Sequence, residues 1–116
     1  MATNGAERDG QVLKGLLDAL VLNILIRGDN YGFGILQALG EQLDGDDTLL
    51  REATLYPLLH RLEAKGFVDA YYQPGERGTP RKYYHVTKAG RAQLEDRMAE
   101  WRRVAGILTR TILRKG

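Results

Sequence analysis

Two β-rich segments in an otherwise helical chain constrain the fold more than any other feature. Phe67–Gln73 and Arg81–Thr87 are rich in tyrosine, valine and phenylalanine, residues that favour strands. The residues between them, Pro-Gly-Glu-Arg-Gly-Thr-Pro, are turn formers and charged groups. The pattern predicts one β-hairpin, so the expected class is mainly α with a small β-hairpin (α+β).

Three helices are predicted before the hairpin. Val12–Arg27 carries leucines and isoleucines at i, i+3 and i+4, and its apolar surface extends around most of the cylinder. A helix of that kind is buried on several sides, which in a small chain suggests a partner subunit as well as the core. The second helix covers about Tyr31–Leu43, after a turn at Gly28-Asp29-Asn30, and the third covers Glu52–Lys65.

The ends of the third helix follow known preferences. Gly66 comes directly after it, as expected at a C′ position. Pro57 falls near its first turn, where a missing N–H is tolerated.

A long helix is predicted over Lys88–Leu113, with Thr87 as its N-cap. Apolar residues recur along it at spacings of 4, 3, 4, 3 and 4, a heptad pattern that a lone helix in a monomer seldom needs. We therefore expect a coiled-coil-like contact with a second chain. The residues predicted at this dimer interface are Leu94, Met98, Trp101, Ala105, Leu108 and Ile112, together with Leu13 and Leu17 of the first helix.

The chain divides into three predicted segments. Residues 1–11 are polar and expected to be disordered, residues 12–87 form the folded domain, and residues 88–116 form the dimerisation helix. The length of 116 residues and the 43% apolar content fit one globular domain. No signal peptide is apparent and the longest apolar run is too short to span a membrane, so a cytoplasmic location is expected.

Composition argues against catalysis. The chain has no cysteine and no serine, which excludes a disulfide scaffold, a thiol nucleophile and a serine hydrolase. It has two histidines, and no sequence pattern places either beside paired carboxylates. The acidic stretch at 44–47 lacks the spacing of a calcium loop. We expect no enzyme activity, no cofactor and no metal.

Charge is distributed unevenly. Residues 1–50 carry three basic and eight acidic side chains, a net charge of −5, whereas residues 51–116 carry fourteen basic and seven acidic side chains, a net charge of +7. An anionic partner of the second half is therefore expected, nucleic acid before membrane.

Three helices, a hairpin and a long helix, in that order, are typical of a winged helix-turn-helix with a C-terminal dimerisation helix. The third helix has a polar outer face that fits the major groove of duplex DNA. Tyr56 and His60 offer hydrogen bonds there, Arg61 and Lys65 can reach phosphates, and the hairpin carries three further cations: Arg77, Arg81 and Lys82.

Four motifs give the chain a family resemblance. The segments Ala53–Val68 (ATLYPLLHRLEAKGFV) and Arg81–Gly90 (RKYYHVTKAG) resemble the recognition helix and second wing strand of the PadR family of transcriptional regulators. Lys14–Asp18 (KGLLD) and Asn30–Ile35 (NYGFGI) are similar to its opening motifs. The likeness covers about residues 12–105 and fits the compact branch of the family.

The resemblance implies a homodimeric repressor that binds a pseudo-palindromic operator in double-stranded DNA. Thr54, Tyr56 and Pro57 would stand at the DNA-facing start of the recognition helix. Arg77, Arg81 and Lys82 would be wing contacts. Arg51 stands where the family often has a capping serine, and it can bind phosphate instead. Trp101 corresponds to a tryptophan that stacks on flat aromatic ligands in drug-responsive members.

Several assignments have two interpretations at this point. Tyr56 contacts DNA or packs at the edge of the core, and His60 contacts DNA or is an ordinary exposed residue. Arg61 binds phosphate or is a solvated charge near a helix C-terminus. Trp101 belongs to the dimer seam or stacks on a ligand. The alternative function is a winged-helix module that binds an acidic protein partner.

Overall fold

The computed structural model describes the backbone of residues 5–43 and 52–113, and the side chains of residues 15–43 and 55–113.

The first helix is longer than predicted. Helix α1 spans Gly5–Arg27, so it begins before the predicted start at Val12 and includes residues 5–11 of the segment that the sequence analysis expected to be disordered. A helix can extend beyond its apolar stripe because each added residue gains a backbone hydrogen bond once the helix exists.

A short strand follows α1 and enlarges the predicted hairpin to a three-stranded antiparallel sheet. Strand β1 is Asn30–Tyr31, where the sequence predicted the end of a turn and the start of a helix. It pairs with the last strand of the sheet, Asn30 opposite Tyr84 and Tyr31 opposite Tyr83. Two residues are too few to show an alternating pattern, so this strand is defined only by its partner.

Helices α2 and α3 complete the helical part of the domain. Helix α2 spans Gly32–Gln42 and α3 spans Glu52–Ala64, within two residues of the predicted bounds. Pro57 lies inside α3, beyond its first turn, so it removes one intrahelical hydrogen bond, contrary to the prediction. Gly66 ends α3 with φ of +78°, a left-handed conformation that confirms its predicted role.

The hairpin forms the wing. Strand β2 spans Val68–Pro74 and β3 spans Pro80–Val86, paired from Val68 opposite Val86 to Pro74 opposite Pro80. The sheet order is β1-β3-β2. A single 3-10 turn at Glu76–Gly78 forms the tip, and Arg77 there has φ of +60°.

Helix α4 spans Lys88–Leu108 over 21 residues, and a π-helical segment continues over Thr109–Leu113. Thr87 caps α4 as predicted, because its Oγ1 accepts a hydrogen bond of 3.0 Å from the N–H of Gly90. Within the described residues, no helix is long and apolar enough to cross a membrane.

One core joins all the helices to the sheet. Its members come from every helix and from the two wing strands: Leu17, Ala19, Val21, Leu22, Ile24, Leu25, Ile35, Leu39, Leu55, Leu58, Leu59, Leu62, Val68, Tyr84, Val86 and Leu94. Leu17 and Leu94, both predicted at the dimer interface, are buried in this core within a single chain. The core of the monomer also accounts for the continuous apolar surface of the middle of α1.

Candidate nucleic-acid interface

The start of α2, the outer face of α3 and the base of the wing surround one concave surface, which encloses a shallow cavity with a volume of about 310 Å³. Tyr56 and His60 of α3 and Arg81 and Lys82 of β3, all predicted site residues, lie on it. The surface also includes residues that sequence reasoning did not assign to the site: Tyr31, Gly32, Phe33 and Tyr84. Tyr31, Gly32 and Phe33 are brought there by β1, which holds the start of α2 beside the wing.

Tyr56 lies at the surface rather than in the core. Its side chain is 46% exposed, and its ring lies against Gly32. A Cβ at Gly32 would lie 2.9 Å from the Tyr56 hydroxyl oxygen, so the glycine makes room for the ring. His60 and Pro57 are also exposed, whereas Arg51 and the side chain of Thr54 lie outside the described part of the chain.

Arg61 is turned inward, and its prediction as a phosphate contact is not supported by its geometry. Its guanidinium nitrogen Nη2 lies 2.5 Å from Oδ1 of Asp18 on α1. Asp18 is buried, with 9% of its side chain exposed, and a buried carboxylate without a partner is costly. Arg61 therefore joins α3 to α1 and neutralises a core charge.

Lys82 is also partly engaged within the chain. Its Nζ donates a hydrogen bond of 3.3 Å to Oε1 of Glu63 and lies 5.4 Å from the centre of the Tyr84 ring. Burial lowers the pKa of Lys82, but Tyr84 and Glu63 outweigh burial, and the pKa is raised above its ordinary value. The ammonium group is therefore charged at neutral pH, although Glu63 offsets part of that charge.

Arg81 and Arg77 are the wing cations without such neutralisation. The Cζ of Arg81 lies 4.6 Å from the centre of the Tyr31 ring, a cation–π geometry. Within residues 15–43 and 55–113, no carboxylate forms an ion pair with either arginine. Arg77 is exposed at the wing tip.

The outer face of the sheet holds a hydrogen-bonded cluster that no sequence motif revealed. Oδ2 of Asp29 accepts a hydrogen bond of 2.6 Å from the Tyr71 hydroxyl, and Oδ1 lies 2.8 Å from Nδ1 of His85. The bonds from Tyr71 and then His85 hold the pKa of Asp29 below its usual value, and the bond to Asp29 raises the pKa of Tyr71. The turn after α1 is thus tied to both wing strands.

A family model for PadR-like transcriptional regulators matches residues 21–96. The chain belongs to the PadR family. That match contains β1, α2, α3 and the whole wing, so it covers all the residues that line the concave surface.

Related proteins support the PadR assignment over nearly the whole chain. An uncharacterised protein of Lysinibacillus sphaericus is 35% identical over 97 residues, 84% of this chain and 88% of its own length. A transcriptional regulator structure from Clostridium thermocellum is 30% identical with a TM-score of 0.76, covering 88% of this chain and 98% of its own. A PadR-like regulator from Bacillus cereus is 28% identical with a TM-score of 0.76, covering 90% and 99%. The PadR assignment makes this chain a transcriptional regulator with a winged-helix DNA-binding fold.

Apolar side chains along the second half of α4 and the π-helical segment after it are partly exposed. Met98, Trp101 and Leu108 are between 37% and 41% exposed, and Ile112 is 72% exposed. Ala105 is exposed as well. These five are the predicted interface residues that follow Leu94; four lie in α4, and Ile112 lies in the π-helical segment after it. The side chain of Leu13 lies outside the described part.

A second cavity, with a volume of about 560 Å³, lies between α1 and α4 at the N-terminal end of this apolar surface, next to Met98. Its lining combines apolar and charged side chains: Asn23, Ile26, Arg91, Leu94, Glu95, Met98 and Arg102. Trp101, the one tryptophan of the chain, precedes Arg102 on the same helix.

Proposed function

We propose that this PadR-family protein is a homodimeric repressor of its own or a neighbouring operon, which it controls by binding a pseudo-palindromic operator. The observation that carries the proposal is the single concave surface shared by Tyr56 and His60 of α3 and Arg81 of the wing. Groups that can read bases and a cation that can hold the backbone thus lie side by side.

The geometry of α3 suits the major groove. A helix with its side chains is about 10–12 Å in diameter, and the groove is about 12 Å wide. The buried leucines of α3 face the core, which leaves Tyr56, Pro57 and His60 on the outer side. Hydroxyl and imidazole groups there are the base-reading candidates, together with Thr54 near the start of the helix. Arg51, which precedes α3 in the sequence, remains a predicted phosphate contact.

The wing supplies positioning contacts. Arg77 and Arg81 are free of carboxylate partners among the described residues, so they carry their full charge to the DNA backbone or the neighbouring minor groove. Lys82 contributes less because Glu63 offsets it. Contacts of this kind set register and affinity, while base contacts set sequence preference.

The apolar surface of α4 supports a second copy as its partner. Its residues follow a heptad pattern, which is the pattern of helices that pack against one another, and large apolar patches on soluble proteins mark interaction sites. A two-fold dimer presents two recognition helices, and two-fold symmetry in the protein implies a pseudo-palindromic DNA site.

We expect Trp101→Glu to convert the dimer to a monomer, because it places two charges in the apolar seam of one dimer. Sedimentation velocity at micromolar concentration measures the change. Ala99→Glu is the matched control, since it adds the same charge to the same helix at an exposed position outside the heptad pattern. A dimer that survives Trp101→Glu unchanged would place the interface elsewhere.

A small flat aromatic effector at the dimer interface would release the repressor. The cavity between α1 and α4 is of the size that small-molecule sites have. Trp101 directly precedes Arg102 of its lining, and its half-exposed indole ring offers a stacking surface. Release requires that the ligand bind one dimer geometry more tightly than the other. Because Trp101 is the one tryptophan, quenching of the intrinsic emission by an effector reports directly on this site.

The test of the function is fluorescence anisotropy with duplex DNA from upstream of the protein's own gene, against a scrambled duplex, at several salt concentrations. We expect tight binding that depends on sequence, with log K falling steeply with log salt. Weak and equal binding to both duplexes would contradict control of its own gene, and capture of an acidic protein through the wing would then favour the alternative function. A reporter behind the bound promoter tests repression, which requires expression to fall when the protein is present.

A further inference from the structure

We infer that Tyr31 is a positioning residue that orients the guanidinium of Arg81 for contact with DNA. This inference rests on the proposed function, because it gives a role to a residue that acts through a proposed DNA contact. It starts from the position of Arg81, whose Cζ lies 4.6 Å from the centre of the Tyr31 ring.

The nature of the contact matters for the charge. Arg61 and Lys82 are held by the carboxylates of Asp18 and Glu63, which fix the side chain and also offset its charge. An aromatic face attracts a guanidinium through its quadrupole and carries no net charge. Tyr31 can therefore hold Arg81 in one place while leaving its full positive charge available to a phosphate.

The wing side of Arg81 is also confined. A Cβ at Gly75 would lie 2.8 Å from Cγ and 3.1 Å from Nε of Arg81, so the arginine stem packs closely against the backbone of the wing. An arginine that is already ordered loses less side-chain entropy when it binds. The expected consequence is a tighter complex than a freely moving arginine would give.

Tyr31 is itself held by the outer face of the sheet. Its ring centre lies 5.4 Å from that of Tyr83, and Tyr83 stacks on Tyr71 at 5.9 Å. The Tyr71 hydroxyl bonds to Asp29, which also contacts His85. A continuous series of contacts thus runs from the turn after α1 to the Arg81 guanidinium. The pairing of β1 with β3 holds Tyr31 opposite Tyr83 within this series.

A double-mutant cycle tests the inference. Tyr31→Leu removes the aromatic face and keeps an apolar side chain, and we expect operator affinity to fall on the order of tenfold for a dimer that carries two copies. Tyr31→Phe retains the ring and is expected to restore the affinity. In an Arg81→Met background, Tyr31→Leu should cause no further loss, because Tyr31 acts through Arg81.

The outcomes separate this inference from the proposed function. Equal losses from Tyr31→Leu in both backgrounds would show that Tyr31 contacts DNA itself or supports the fold, and would overturn the inference. Wild-type affinity in Arg81→Met would overturn both the wing contact and the inference. Absence of operator binding by the wild-type protein would overturn the proposed function.

An NMR measurement tests the positioning without DNA. Because Cζ of the Arg81 guanidinium lies 4.6 Å from the centre of the Tyr31 ring, we expect the ring current to shift the Nε–H resonance of Arg81 upfield. Tyr31→Leu should remove that shift and Tyr31→Phe should keep it. An Arg81 resonance at its random-coil position in the wild-type protein would contradict the inference even if the protein binds its operator.

Discussion

Specific DNA binding should be lost when Arg81 is changed to glutamate, while the fold and the dimer persist. Arg81 lies on the concave surface beside Tyr56 and His60, and no carboxylate in the described part of the chain neutralises it. The substitution would remove the proposed phosphate contact of each subunit and place a negative charge against the DNA, where like charges cost several kcal/mol. We expect affinity to fall on the order of a hundredfold or more, about 3 kcal/mol.

The salt dependence of binding gives a second readout for this variant. Each phosphate contact contributes about one unit to the slope of log K against log salt, so the slope should fall by about two units for a dimer. Arg103→Glu is the matched control, because it makes the same change of charge at an exposed position of α4 away from the heptad pattern. An Arg81→Glu protein that keeps both its affinity and its salt slope would remove Arg81 from the interface.

Gly90→Ala is expected to cause a large loss of stability although it adds a single methyl group to α4. A Cβ at Gly90 would lie 2.1 Å from the carbonyl oxygen of Phe67 and 2.9 Å from Cγ2 of Val86. The first of these is a backbone atom beside the end of α3, so relief requires α4 to move away from the domain. We expect a loss of about 3 kcal/mol or more, a large part of the stability of a typical domain.

Gly106, a second glycine of α4, provides the control that separates the effect of the close contact with Phe67 from the effect of helix propensity. Gly106 has Nη1 of Arg110, the end of a flexible side chain, as the nearest neighbour of an added Cβ, at 3.3 Å. Gly106→Ala should therefore stabilise the helix by about 0.5–1 kcal/mol. Thermal unfolding at one fixed protein concentration measures both variants, because the stability of a dimer depends on concentration. A Gly90→Ala protein as stable as Gly106→Ala would contradict the close approach of α4 to Phe67.

Local signals in the sequence were enough for the order and type of the main elements. Leucine periodicity located the helices, and two segments rich in tyrosine, valine and phenylalanine around a run of turn formers located the wing. The roles of Thr87 and Gly66 as cap and stop are confirmed. These signals work because hydrogen bonding within a helix turn and the conformational freedom of glycine depend on a few neighbouring residues. The four sequence motifs found in these elements were also sufficient to identify the PadR family.

Sequence patterns could not assign partners to individual charges. Arg61 and Lys65 are equivalent in the sequence as cations near the end of α3, yet only the fold brings Asp18, 43 positions away from Arg61, to its guanidinium. In the same way the sequence treats Arg81 and Lys82 as one basic pair. Alternation of side chains in β3 directs Arg81 to the Tyr31 face of the sheet and Lys82 to Glu63.

The sequence by itself therefore determined the winged-helix class, the polar outer face of α3 and the heptad pattern of apolar residues in α4, since each follows from short-range patterns. Only the tertiary structure decided that β1 exists, that Leu17 and Leu94 belong to the monomer core, and which cations remain available for DNA. Those properties depend on contacts between residues far apart in the chain. Strand pairing, burial and charge neutralisation all arise from such contacts, and no local pattern encodes them.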